Sequence, residues 1–92
     1  MDTDILELEI ITRIESKKIP VEWIDIQSPT GNFIIGPDHS PLVSLLKERG
    51  VLTYKVQALA KEHQGDEVSI DTYGGIIEVD GSRATAILDY VG

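Results

Sequence analysis

The chain has no cysteine, which excludes a disulfide framework and a thiolate metal site and leaves a core with well-paired strands to hold the fold. Histidine is scarce too. His39 and His63 are the only two, and neither has a second His or a carboxylate at a spacing that one helix face would gather as a ligand set, so no metal is expected. Basic residues are few: eight Lys and Arg stand against sixteen Asp and Glu, a formal charge of −8. Contact with phosphate backbones works by displacing counterions with cations, so a nucleic-acid partner is disfavoured. The acids form no block of like charge and read as a solvated polar face, with Glu7 and Glu9 sharing one such face. No apolar run approaches the roughly 20 residues that cross a bilayer, and no secretory signal pattern opens the chain. Both phosphate-loop glycine patterns are missing. Gly74-Gly75 marks instead a bulge or a close backbone approach, and no nucleotide or other cofactor is expected.

What remains is a set of short strands in a chain of 92 residues, enough for one domain spanning residues 1–92. Leu6, Glu7, Leu8, Glu9 and Ile10 alternate apolar with charged, the period of a strand with one face in a core. Ile19–Ile26 is rich in β-branched and aromatic residues, with Pro20 expected at the strand's beginning or edge and Trp23 as a core or interface anchor. Gln27–Gly31 is a turn, and Phe33–Ile35 a short apolar run. Pro41–Arg49 fits either one or two helical turns or a strand. Val51–Leu59 alternates, with Leu52, Tyr54, Val56 and Ala58 on one face, and the polar residues 60–67 read as a hairpin connection. Val68–Thr72, Ile76–Val79 and Ala84–Leu88 complete the set, with Asp80-Gly81 as a tight hairpin turn. Seven or more short strands imply an all-β sandwich or barrel.

Catalysis finds no foothold. Asp38-His39-Ser40 holds the residue types of a catalytic triad, but neighbours along a chain point in different directions and real triads are assembled from distant segments. The segment reads as a turn, with Asp38 accepting backbone amides and His39 closing or packing the loop.

The order of residues says more than their types. Gly31, Phe33, Ile35, Pro37, His39, Pro41 and Leu42 fall without a gap on the segment GEFGILPGHAPLL of the epsilon subunits of F-type ATP synthases. Tyr73–Val79 is similar to that family's SGGFVEV, Ala84–Asp89 to its VTVLAD, and Leu8–Thr12 to its LEIVTP. The resemblance implies a flattened antiparallel sandwich of about ten strands. It also implies a non-catalytic rotor subunit at the cytoplasmic face of an energy-transducing membrane, a bacterial one by expectation, gripping the gamma subunit and resting on the polar loops of the c ring. Ring contacts would come from Ser28, Thr30, Gly31, Asn32 and Phe33, with Asp38, His39 and Tyr73 nearby. Gamma contacts would come from Gly74, Gly75 and Ile76. Thr30 and Asn32 replace family acids, Ile34 and Asp38 replace glycines, and Gly36 replaces a leucine. Many family members continue into two inhibitory helices, which this chain, ending at Gly92, is expected to lack. Two other readings are a stand-alone interaction module that kept the sandwich, and a small hydrolase or metal protein using His39.

Overall fold

The fold is built on alternation. In the computed structural model, which describes residues 5–57 and 65–89, Leu6, Leu8 and Ile10 of β1 (Leu6–Ile11) turn inward while Glu7, Glu9 and Ile11 turn out. β2 (Ser16–Ser28) follows a tight turn in which the Thr12 amide donates to the Glu15 carbonyl. The remaining strands are β3 (Gly31–Ile35), β4 (His39–Leu45), β5 (Gly50–Val56), β6 (Glu67–Thr72), β7 (Gly75–Gly81) and β8 (Arg83–Leu88). His63, Ala58 and most of the 60–67 connection lie outside the described residues.

All eight strands form one sheet in the order β4-β7-β8-β1-β2-β5-β6, with β3 also paired to β2. The sheet closes over itself through β2. Ser16–Val21 pairs with β1, Ile24–Ser28 pairs with β3 on the same side, and Val21–Asp25 pairs with β5 on the other. A register shift between Val21 and Trp23 leaves Glu22 as the extra residue of a bulge, the usual device for bending a strand at a corner. Inward side chains from both halves then meet in one core that includes Leu6, Leu8, Ile24, Ile26, Ile35, Leu52, Ile77 and Val79.

The all-β sandwich agrees with the expectation, while its details differ in four places. The described residues hold eight strands rather than ten, because β2 is a single strand of 13 residues that serves both halves. The sheet is mixed: β1 and β8 run parallel, with Ile11 opposite Ile87. Residues 39–45 are extended and paired to β7, which rules out the helical alternative. Pro20 sits inside β2, where its carbonyl accepts the Gln57 amide. N–H and C=O of one strand residue point the same way, so the donor it lacks falls at the end of the β5 ladder, where none is needed.

Candidate partner-binding surfaces

The hairpin between β2 and β3 is shaped by Ser28. This side chain is buried, 5% exposed; its hydroxyl donates to the Gly31 carbonyl at 2.7 Å and accepts the Thr30 amide at 3.3 Å. Thr30, Gly31 and Asn32 are thereby presented to solvent. Phe33, opposite Ile26, packs against the core, and it is Ile34 that stands out, 65% exposed. Of the residues expected in this turn, three form the exposed tip and two support it.

His39 and Asp38 do not join that tip. β4 is about 20 Å long at 3.3 Å per residue, and His39 lies at its far end, opposite Gly81. At the near end the Leu46 amide donates to the Gly75 carbonyl and the Lys47 amide to the Gln27 carbonyl. The Thr72 hydroxyl donates to the Lys47 carbonyl at 3.4 Å. The root of the Ser28 hairpin therefore meets the Tyr73–Ile76 segment, and the expected cluster divides into two sites at opposite ends of β4. Asp38 serves its turn through a backbone φ of 57° rather than by accepting amides. The Nδ1 of His39 bonds the carbonyl of its own neighbour Ser40 at 2.7 Å, and among the described residues no acid or hydroxyl from another segment is hydrogen-bonded to it. Among the described residues no group of three or more His, Asp or Glu is placed to hold a metal ion.

The glycine pair is a crossing point between the two halves of the fold. A Cβ on Gly75, whose φ is 131°, would lie 2.5 Å from the Ile87 carbonyl oxygen, so only glycine fits this close approach. Gly74 is buried. Of the expected gamma contacts, only Ile76 presents a side chain to the outer face.

That face carries a feature the sequence reading missed. Pairing places Leu45 opposite Ile76, Ile76 opposite Ile87, and Ile87 opposite Ile11, one apolar row across β4, β7, β8 and β1. Leu45 is 62% exposed, Val43 beside it 61%, and Ile87 46%, where the solvent side of a sheet is ordinarily polar. The outer face of the other half holds Asp25, Thr53 and Ser69 in register, with Thr53 and Ser69 hydrogen-bonded at 2.9 Å. Trp23, opposite Lys55, is half-buried and lies outside the core, so it is not a core anchor. A groove of about 490 Å³ opens beside the β1–β2 turn, floored by Ile10 and Ile70 and rimmed by Arg13, Glu15, Lys17 and Asp89; its mixed rim selects no ligand charge.

The chain matches no protein-family model and no curated protein. Among solved structures it is similar to a chain of the Euglena gracilis mitochondrial ATP synthase, in a structure of its OSCP, F1 and c-ring portion, with a TM-score of 0.84 and 17% identity. A chain from the central stalk and c ring of the Tetrahymena thermophila mitochondrial ATP synthase matches with a TM-score of 0.74 and 12% identity. The likeness covers 100% and 95% of this chain but 55% and 65% of those chains. At these identities the likeness establishes the fold class: an all-β sheet domain of the kind found in ATP synthase stalk structures. No helix among the described residues is long and apolar enough to cross a membrane.

Proposed function

We propose that this chain is a non-catalytic rotor subunit of a proton- or sodium-translocating ATP synthase, joining the gamma subunit to the polar loops of the c ring at the membrane periphery. The observation that carries this reading is the fold likeness to an ATP synthase chain over 100% of the present chain. It agrees with the order of GNFIIGPDHSPL and TYGGIIEV along the sequence. The exposed tip Thr30–Asn32, steadied by Ser28, is the c-ring contact in this reading. Ile76 marks the gamma-facing side, with Gly74 and Gly75 setting its position. Asp38 and His39, at the far end of β4, contact gamma or another stalk element rather than sharing the ring tip.

A coupling part of this kind breaks no bond. It has to be rigid under torque and complementary to two partners, which suits a sheet folded over one core whose two ends carry different loops. The test is to mix the purified chain with gamma and with detergent-solubilised c ring from the same organism. Complexes with both are expected by size exclusion and calorimetry. A chain that binds neither is instead a stand-alone interaction module.

A further inference from the structure

From the outer face of β4, β7, β8 and β1 we infer a docking site for one amphipathic helix of a partner protein, with an apolar stripe and a basic flank, lying across the strands. The inference rests on the rotor reading only in naming that partner as gamma. Its basis is register. Leu45, Ile76, Ile87 and Ile11 lie side by side, and neighbouring strands are about 4.8 Å apart, so the row is about 14 Å long. Nearly three turns of helix, at 5.4 Å per turn, cover that length.

The next row along the strands, about 6.7 Å away, supplies the charge. It reads Val43, Glu78, Thr85, Glu9 and Lys18 across β4, β7, β8, β1 and β2. Glu78 and Glu9 are two strands apart, about 9.6 Å, near the rise of two helical turns. Lys or Arg side chains seven positions apart on a docked helix would meet both. Beyond them Asp80, Arg83 and Glu7 continue the face, with Arg83 opposite both acids. Acid therefore outweighs base beside the apolar row, and the formal charge of −8 on the whole chain disfavours both a second copy and an anionic bilayer as the occupant. A helix bearing cations on one flank satisfies the row and the charge together.

The experiment measures affinity for gamma by calorimetry, and chemical shifts on adding a synthetic helix with a leucine stripe and a lysine flank. In Leu45→Thr/Ile87→Thr, β-branched residues keep the strand positions while removing the stripe. Gamma binding should fall about 100-fold, the loss of two well-packed anchors, with melting moved by only a few degrees. Glu9→Lys/Glu78→Lys should weaken binding about 10-fold and flatten its salt dependence. Asp71→Lys, on exposed β6, should leave it unchanged. Peptide shifts should centre on Ile11, Ile76 and Ile87. If gamma binds the stripe variant as tightly as the parent, or the peptide shifts residues elsewhere, the inference is overturned. If gamma fails to bind while the peptide perturbs this row, the rotor reading fails and the docking site stands. Concentration-dependent self-association lost in the stripe variant would overturn the helix as occupant and assign the face to a second copy.

Discussion

Asp38 holds a backbone φ of 57° at a position where the resembled family has glycine. The left-handed region costs an L-residue about 1 kcal/mol, somewhat less for Asp, and glycine nothing. Asp38→Gly should accordingly raise stability by about 0.5 kcal/mol, less what the freer unfolded chain takes back, and Asp38→Val should lower it by about 1 kcal/mol or more. Urea midpoints at constant slope would check both, and a Val variant as stable as the parent would contradict the turn geometry. Gly75 has no such latitude. Its missing Cβ faces the Ile87 carbonyl, so Gly75→Ala should cost about 3 kcal/mol in the same measurement. Tyr54 carries a third effect. Burial in the core pushes its phenol pKa above 10, so the folded state holds the proton more tightly than the unfolded chain. The resulting stability is fully present below about pH 10 and is lost as pH rises through the folded pKa. Alkaline titration should show a fall in stability above pH 10 that is smaller in Tyr54→Phe; identical curves for the two proteins would remove Tyr54 as its source.

Among the elements, the hairpin at Ser28 is the most exposed to test. Its hydroxyl closes the turn on Gly31 and Thr30, and losing a buried hydrogen bond of this kind costs about 1 kcal/mol. Ser28→Ala should show that loss in urea unfolding, with the backbone shifts confined to Thr30–Phe33. The strands around it were legible in sequence wherever one face is buried: β1 by strict alternation, and β5 by Leu52 and Tyr54. Asp80-Gly81 announced the β7–β8 turn one residue early, since Asp80 pairs with Arg83 and the turn residues are Gly81, at φ 63°, and Ser82. Residues 41–49 were ambiguous because their spacing fits two periods; pairing with β7, a long-range contact, settled the matter. The apolar outer row was not legible for the same reason. Ile11 and Ile87 lie far apart in sequence and meet through a parallel pairing of β1 with β8, and Leu45 becomes exposed only once β4 is an outer strand of the sheet. The candidate tip was legible as a turn, but which of its side chains point outward depended on register: Phe33 faces in and Ile34 out.

At the scale of the whole molecule, charge works against the fold. The chain has sixteen acids and eight bases, of which thirteen acids and seven bases are among the described residues, in a body whose principal extents are 36 × 26 × 22 Å, so many like charges lie near one another across distances that salt screens, about 10 Å at 0.1 M. Opposed to this repulsion are cross-strand pairs of opposite sign, Glu9 with Lys18 and Asp80 with Arg83, each worth a few tenths of a kcal/mol to about 1 when it faces water. Salt weakens both kinds of interaction. Repulsion sums over the surplus of acids, whereas the attractive pairs are limited by the small number of bases, so repulsion should dominate. Raising sodium chloride from about 10 mM to about 500 mM should therefore move the urea midpoint upward, by the equivalent of about 1 kcal/mol, with the slope unchanged because the surface buried on folding is the same. Glu78→Gln should show a smaller salt increment than the parent, and Lys18→Gln a larger one, since the first removes a repelling charge and the second an attracting one. A midpoint that falls with salt would mean that the strand pairs outweigh the surplus and that the acidic surface is already balanced in the free chain. It would also remove the electrostatic ground for a basic partner on the outer face, leaving the apolar row to act alone.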